Sequence, residues 1–223
     1  MTILWIMFLI AFALACLMAL VRRSRYGIVR WKAVTLTVLT AIYGCVGAKL
    51  LYLLESPGKA VLLNSGFSYF GSVFLPFLLV PVTALALGVK PSAGLDLCAP
   101  YIPMTMAFLR ISCVWERCCQ GRILLLGDGY IRYPVAWMEH IVGILITLYL
   151  LDREKKCRDG LQYPIFMMLY GISRFFIGFL RATHKHLWGL SNGQWFALAA
   201  ILIGAAMLLL QKAQAEKGGQ KRK

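Results

Sequence analysis

Long apolar stretches alternate with short polar segments along the whole chain. Seven apolar stretches stand out, at about 1–21, 32–54, 67–88, 97–114, 135–151, 161–180 and 193–211. A helix needs about 20 mostly apolar residues to cross a bilayer, and five of the stretches reach about that length while the fourth and fifth are short. The pattern predicts an all-α polytopic membrane protein with about seven transmembrane helices.

The segments between these stretches leave no room for a soluble domain, since the longest of them covers only residues 115–134. We therefore predict a single transmembrane helical domain over residues 1–211. The first stretch has no basic start and is too long for a signal peptide, so we expect a retained helix. Residues 212–223 read KAQAEKGGQKRK, which is typical of a basic, disordered cytoplasmic tail.

Composition supports a membrane protein. Apolar residues make up 60% of the chain, against about 45–50% in soluble domains. The mean hydropathy is +0.72. The 24 Lys and Arg residues outnumber nine acidic residues, giving a net charge of +15. In so apolar a chain, this excess indicates anionic membrane lipids and membrane topology rather than nucleic acid as partner.

The basic residues also predict an orientation. Many of them follow the first, fifth and seventh apolar stretches, within residues 22–32, 153–158 and 212–223. With seven spans, these three segments share one side of the membrane. The positive-inside rule places that side in the cytoplasm, so the N-terminus is predicted outside and the C-terminus in the cytoplasm. Topology and lipid headgroups suffice to explain these basic residues.

Nine other basic residues lie within predicted spans or on the predicted outer side, where the same rule disfavours them. Arg174 lies deep in an apolar stretch, where a charge costs about 2.5–3.5 kcal/mol on insertion scales. A charge at such depth is typical of a polar, functional cavity. The nine are Lys49, Lys59, Arg110, Arg117, Arg122, Arg132, Arg174, Arg181 and Lys185.

Helical spacing aligns the polar residues of the sixth stretch. Tyr170, Arg174, Gly178 and Arg181 occur at i, i+4, i+8 and i+11, which places them on one helix face. The alternative for each arginine is an extended side chain that reaches the membrane surface. That alternative suits Arg181, near the helix end, better than Arg174.

The fourth stretch carries Arg110 near its end. If the fourth and sixth helices face each other, Arg110 and Arg174 point into one cavity. Guanidinium groups bind phosphate oxygens in pairs, so the sequence predicts a site for the phosphate of a phospholipid. The alternative is that the arginines pair with carboxylates, but those nearby are too few to neutralise every arginine; they are Glu116, Asp128 and Glu139.

Glu139 follows Pro134, which is typical of a helix start, and lies within the fifth stretch. We expect an arginine as its partner. It is either a structural partner that holds the cavity together or a catalytic base. The seven cysteines have no C-x-x-C spacing, so no metal site is expected. The adjacent Cys118 and Cys119 are poorly suited to bond each other as a redox pair.

Taken in order, several motifs resemble those of the prolipoprotein diacylglyceryl transferase family, and they extend over residues 44–195. No single motif is decisive, but their order is specific. They are GAKLLY from Gly47, GFSYFG from Gly66, D…APYIP from Asp96, RISC…CCQGR from Arg110, RYP…ME from Arg132, YGISRFFIGFLR from Tyr170 and SNGQW from Ser191.

The resemblance implies transfer of a diacylglyceryl group from phosphatidylglycerol to the lipobox cysteine thiol of prolipoproteins, at the outer face of the bacterial inner membrane, with release of glycerol phosphate. The implied catalytic residues are Arg110, Arg174 and Tyr170. The arginines would hold the phosphate and stabilise charge on the leaving group. The substrate supplies the nucleophile, and neither cofactor nor metal is implied. The implied phospholipid-binding residues are Lys49, Gly121, Arg122, Arg132, Glu139 and Arg181.

The chain departs from the family pattern at several positions, which keeps two alternatives open. Phe70 stands where His or Tyr is frequent, and Gly178 where Glu is expected to brace the arginines. Lys49 replaces Arg, while Ser112 and Arg117 replace small residues. One alternative is a family member that has lost this activity or binds or modifies another phospholipid. The other is a transporter or scaffold, which the lack of internal repeats disfavours.

Overall fold

The computed structural model describes residues 2–55, 67–119, 121–126, 129–156, 159–183 and 187–220, most of which are helical. Lys59, Gly66, Asp128 and Lys185 lie outside the described residues. The described part forms eight helices: α1 (Thr2–Arg22), α2 (Arg30–Glu55), α3 (Gly71–Ala86), α4 (Pro91–Cys98), α5 (Tyr101–Trp115), α6 (Val135–Glu154), α7 (Gln162–Leu180) and α8 (Asn192–Gln220).

Seven apolar helical stretches confirm the predicted polytopic class. Within the described residues, six stretches are long and apolar enough to cross a membrane, and α4 and α5 together form one of them, Pro91–Trp115. The seventh, Gly71–Ala86, is shorter and contains Pro76 and Pro81.

The fourth stretch begins at Pro91 rather than near residue 97, and it is broken in the middle. α4 ends at Cys98, and Pro100 precedes α5 as its N-cap. Proline has no N–H to donate to the preceding turn, so a continuous helix is disfavoured there.

A short β-hairpin was not predicted from the sequence. β1 (Ile123–Leu126) pairs antiparallel with β2 (Gly129–Arg132), with Ile123 opposite Arg132. The connector between α5 and α6 therefore contains strand structure in a chain predicted as all-α. In the sequence, its apolar run ending in Gly-Asp-Gly is a hairpin signal.

The chain divides into two compact units, and the first comprises residues 12–98. Here α2 packs on α3, where Gly47 and Gly71 allow backbone contact that a side chain would block. The end of α1 contributes Arg22, which donates to the Leu97 carbonyl at 2.7 Å and the Asp96 carbonyl at 3.0 Å. Arg22 is only 7% exposed. Assigning it to lipid headgroups and topology alone was therefore wrong, since it binds the carboxyl-terminal end of α4.

The second unit comprises residues 1–11 and 99–223. Its helices pack in chain order, α5 on α6, α6 on α7 and α7 on α8. Gly143 of α6 lies so close to Pro103 and Ala107 of α5 that a Cβ there would be 2.7 Å from the Pro103 carbonyl oxygen. This close approach holds α5 and α6 together.

The predicted domain limits are not settled by this division. A single domain over residues 1–211 stays a prediction. The segment predicted as a disordered tail, residues 212–223, begins within α8, which continues to Gln220, and residues 221–223 lie outside the described part.

Candidate functional site

Glu139 is the centre of a buried ionic cluster in the second unit. It lies in the second turn of α6 and is fully buried. Arg110 Nε is 2.5 Å from its Oε2, and Arg181 Nη1 is 3.3 Å from its Oε1. Arg174 Nη1 hydrogen-bonds the same Oε1. We call Arg110, Arg174, Arg181 and Glu139 the arginine cluster.

Three helices and one extended residue position this cluster. Arg110 comes from α5, Glu139 from α6 and Arg174 from α7. Arg181 follows the end of α7 with extended backbone angles, φ −82° and ψ 141°. It forms an antiparallel bridge with Gly121, and the Arg122 N–H donates to the Leu180 carbonyl at 2.8 Å. The connector thus holds Arg181 beside the side chains of α5 and α6.

The cluster carries a surplus of positive charge. Three guanidinium groups surround one carboxylate, which leaves a formal charge of about +2 among the described groups. Arg110 is only 8% exposed, so water screens little of this charge. The structure thus brings Arg110 and Arg174 together, and it places Glu139 between them as their structural partner.

Tyr170 lies one turn before Arg174 and is fully buried. Its ring stacks on Phe166 with the centroids 5.9 Å apart. It also lies close enough to Arg110 to interact with the guanidinium charge. Tyr170 and Arg174 of the predicted face therefore do turn toward Arg110 and Glu139, whereas Gly178 lies against Gln194 of α8.

The remaining predicted residues divide between the hairpin and the other unit. A Cβ on Gly121 would be 2.5 Å from the Tyr133 carbonyl oxygen, so this position needs glycine. Arg132 Nη1 donates to the Gly121 carbonyl at 3.4 Å, and the Arg122 and Arg132 side chains are exposed. Lys49 belongs to the first unit, where its Nζ lies 4.8 Å from the Phe67 ring centroid.

The structure also describes the two positions that departed most from the family pattern. Phe70 is buried before α3 and stacks on Phe74. At Gly178, a Cβ would lie 2.6 Å from Cγ of Gln194. Gln194 is buried and held in place: its Oε1 accepts from the Ser191 N–H at 3.0 Å, and its Nε2 donates to the Phe175 carbonyl at 3.3 Å. Gln194 thus fills the space beside Gly178, while Glu139 supplies the carboxylate that braces the arginines.

Sequence reasoning missed a cluster of three cysteine thiols beside the arginines. The Sγ atoms of Cys113, Cys118 and Cys119 all lie within 4.8 Å of one another. Arg181 Nη2 donates to Cys119 Sγ at 3.2 Å, and Arg110 Nη1 approaches Cys119 Sγ at 3.6 Å and Cys113 Sγ at 3.7 Å. The sequence gives little indication of this cluster, because the thiols meet only where the chain reverses after α5 through left-handed conformations at Arg117 and Cys119.

The thiols differ in their expected ionisation. A hydrogen bond from the Cys113 thiol and the nearby guanidinium groups lower the pKa of Cys119 to about 4, against 9.0 ordinarily. Burial instead raises the pKa of Cys118. Among the described residues, these three sulfurs have the spacing of possible metal ligands. Two guanidinium groups lie against them, however, and their positive charge disfavours a divalent cation.

Comparison with known proteins assigns the chain to a family. The family model for prolipoprotein diacylglyceryl transferase matches residues 2–210. A phosphatidylglycerol–prolipoprotein diacylglyceryl transferase 2 from Clostridium perfringens is 28% identical over 225 residues, covering 90% of this chain and 88% of its own. The Clostridium tetani transferase is 24% identical, covering 76% of both chains. The Idiomarina loihiensis transferase is 29% identical over 55% of this chain and 52% of its own.

Proposed function

This chain belongs to the prolipoprotein diacylglyceryl transferase family, and we propose that it transfers a diacylglyceryl group from phosphatidylglycerol to prolipoproteins in bacterial lipoprotein maturation. It is a multi-pass enzyme of the bacterial plasma membrane. The acceptor is the thiol of the lipobox cysteine. The arginine cluster faces the outer leaflet, with the N-terminus outside and the C-terminus in the cytoplasm.

The reaction moves negative charge onto a phosphate. The acceptor sulfur attacks the carbon of the diacylated glycerol that is bonded to a phosphate oxygen. A carbon–sulfur bond forms, the carbon–oxygen bond breaks, glycerol phosphate leaves and the thiol proton is released. The phosphate begins as a diester with one negative charge and leaves as a monoester with an additional one. Charge therefore accumulates on the phosphate oxygens as the transition state forms.

The surplus charge of the arginine cluster is the observation that carries this proposal. Three guanidinium groups are fixed around Glu139 before any substrate binds. Such fixed donors stabilise the transition state, with its additional negative charge, more than they stabilise the bound phosphodiester. The activation barrier is therefore lowered. Arg110 and Arg174 hold the phosphate in this proposal, and Tyr170 lies beside them. Glu139 positions the guanidinium groups rather than accepting the thiol proton, since it is already bound by all three.

The outlying basic residues fit an accessory role. Arg122 and Arg132 project from the hairpin connector, whose backbone joins the end of α7 at Gly121 and Leu180. In the proposal they attract the anionic headgroup, together with Arg181, and Gly121 permits the close turn that positions them. Lys49 contributes a further charge for phospholipid binding.

The alternative of a family member without this activity is less well supported. It rested on the lost carboxylate at Gly178 and on Phe70. In the proposal Glu139, which pairs with the arginines, braces them in place of that carboxylate. The relatives from Clostridium perfringens, Clostridium tetani and Idiomarina loihiensis all carry the transferase name.

Reconstitution tests the proposal. Purified protein in phosphatidylglycerol liposomes should convert a lipobox peptide to its diacylglyceryl thioether, detected by mass spectrometry, and release glycerol phosphate in equal amount. A peptide with Ser in place of the lipobox Cys should stay unmodified. Absence of conversion, while the Clostridium perfringens relative converts the same peptide, would show that the proposal is wrong.

A further inference from the structure

The proposed transfer reaction uses none of the three clustered thiols, yet their surroundings are unusual for structural cysteines. Cys113 lies in the last turn of α5, and the chain then reverses so that Cys118 and Cys119 lie beside Cys113. The backbone has φ values of 50° at Arg117 and 56° at Cys119, which L-residues with side chains rarely adopt. Strain of this kind persists where the surrounding contacts enforce it.

Charged donors converge on one of the three sulfurs. Arg181 Nη2 lies 3.2 Å from Cys119 Sγ, and Arg110 Nη1 lies 3.6 Å from it. The Cys113 thiol also hydrogen-bonds Cys119. Guanidinium donors stabilise a thiolate over a thiol, and a thiolate here offsets part of the surplus positive charge of the arginine cluster. Cys119 thus has the surroundings of a nucleophile rather than of a buried apolar residue.

The thiols are open to small reagents. All three line a cavity of about 200 Å³, which Arg117 and Arg132 also border. Cys118 is exposed, while Cys113 and Cys119 are partly exposed. A reactive thiolate, a neighbouring thiol and an access route are the three features of cysteines that undergo reversible oxidation.

We propose that Cys119 is a modification site that reacts with hydroperoxides, and that Cys113 then closes an intramolecular disulfide with it. In the first step the Cys119 thiolate attacks one peroxide oxygen. A sulfur–oxygen bond forms to the terminal OH oxygen and the oxygen–oxygen bond breaks. The electron pair leaves on hydroxide when the reagent is hydrogen peroxide, or on an alkoxide when it is an organic hydroperoxide. The sulfur is oxidised by two electrons to a sulfenic acid and the peroxide is reduced.

In the second step the Cys113 sulfur attacks the sulfenic sulfur. The sulfur–sulfur bond forms, the sulfur–oxygen bond breaks, and the departing hydroxide combines with the Cys113 thiol proton to give water. Cys113 is the partner rather than Cys118, because it already hydrogen-bonds Cys119. A disulfide between the adjacent Cys118 and Cys119 would need a strained ring.

Titration gives an independent signature. The pKa of Cys119 is lowered to about 4, first by the Cys113 hydrogen bond and then by Arg181 and Arg110. Other charged or titratable groups in the described part are also nearby. Arg117 and Arg132 border the same cavity, Glu116 acts on Cys118, and Glu139 lies behind the guanidinium groups. Cys119 is therefore ionised throughout pH 5.5–8, whereas Cys118, with a raised pKa, is mostly protonated there.

Alkylation of the full-length protein by iodoacetamide measures this difference. With peptide mass spectrometry as readout, the Cys119 rate should change less than about twofold between pH 5.5 and 8. The Cys118 rate should rise about tenfold per pH unit, following its thiolate fraction. Cys113→Ala, which removes the largest cause of the lowered pKa, should make the Cys119 rate depend on pH. Parallel slopes for Cys118 and Cys119 in the unmodified protein would overturn the proposal.

Peroxide treatment tests the second step. Hydrogen peroxide should join the peptides that contain Cys113 and Cys119, with a mass loss of two hydrogens, and dithiothreitol should reverse this. Cys118→Ser is the matched control and should still form the link. Cys113→Ser should stop at a sulfenic acid that dimedone traps on Cys119. A Cys118–Cys119 link, or no oxidation of Cys119 in any variant, would contradict the assignment.

Discussion

Two regions of this chain bury arginine side chains, and the arginines donate hydrogen bonds to different kinds of acceptor in each. Arg22, at the end of α1, donates to the backbone carbonyls of Asp96 and Leu97. Those carbonyls belong to the last turn of α4, where the helix dipole is negative. In the arginine cluster, three guanidinium groups instead share the single carboxylate of Glu139.

The difference distinguishes Arg22, whose role is structural, from the arginine cluster, which has the charge to bind an anionic ligand. Arg22 satisfies carbonyls that the helix end leaves without intrahelical donors, so its charge completes local structure. The three guanidinium groups of the arginine cluster carry more positive charge than its single carboxylate balances. That excess is unfavourable in a low-dielectric region unless an anion joins it, and the phosphate of phosphatidylglycerol is an anion of the required kind.

Removing the carboxylate should have the largest effect. Glu139→Gln leaves one buried and two partly buried guanidinium groups without this carboxylate, and we expect the free energy of unfolding in mixed micelles to fall by about 3–5 kcal/mol. Asp152→Asn on the same helix is the matched control, because Asp152 is 80% exposed and lies 3.9 Å from Lys156. Its effect should stay within about 0.5 kcal/mol. Equal effects of the two substitutions would show that Glu139 does not organise the cluster.

Removing one guanidinium should affect catalysis more than folding. In Arg174→Ala, Glu139 keeps Arg110 and Arg181, so the fold is retained. We expect kcat for diacylglyceryl transfer to fall about 100–1,000-fold, as when one preorganised donor to an oxyanion is lost.

Arg153→Ala is the control for this prediction, since Arg153 lies exposed at the other end of α6, where it donates to Tyr149. Its transfer rate should equal that of the unmodified protein. If Arg174→Ala retained more than a third of the rate, the cluster would not be the catalytic site.

Arg22 should show the opposite behaviour. Arg22→Met leaves the carbonyls of Asp96 and Leu97 without this donor, and we expect a loss of about 2–4 kcal/mol in the free energy of unfolding. At a temperature where the variant stays folded, its kcat should change less than about threefold. Arg30→Met, at the exposed start of α2, is the control for loss of a basic residue. A hundredfold loss of kcat in folded Arg22→Met protein would remove the contrast between the two regions.

The smallest expected effect concerns Gly178. Gly178→Glu introduces the residue that the family pattern suggests, but Gln194 already fills the adjacent space. We expect a destabilisation of about 1–3 kcal/mol from overpacking. In a Gln194→Ala background the same substitution should cost less, which a double-mutant cycle measures. The same cost in both backgrounds would show that Gln194 is not the obstacle.

Parts of this picture could be predicted from the sequence because the lipid bilayer enforces them. Apolar stretches of about 20 residues had to become helices, since no water satisfies their backbone groups. Helical spacing then placed Tyr170 and Arg174 on one face, and the depth of Arg174 in its apolar stretch predicted a polar, functional cavity rather than the ion pair with Glu139 that the structure shows. Glu139 as an arginine partner followed from the same reasoning.

Other parts depend on contacts that sequence spacing does not reveal. Arg22 looked like a topology signal, because its acceptors are carbonyls 74 and 75 residues away. The thiol cluster arises from a reversal through strained angles at Arg117 and Cys119, which no local residue type requires. At Gly178 the family pattern suggested a missing carboxylate, and the sequence did not reveal that Gln194 fills the adjacent space.

The most direct test of the central claim measures which lipid the arginine cluster retains. Protein extracted from membranes with equal amounts of phosphatidylglycerol and phosphatidylcholine can be examined by native mass spectrometry. We predict retention of phosphatidylglycerol over phosphatidylcholine by the unmodified protein and by Arg153→Ala, and no preference in the double variant Arg110→Ala, Arg174→Ala. If the double variant, still folded, kept the full preference, the proposal that these guanidinium groups bind the phosphate would be contradicted.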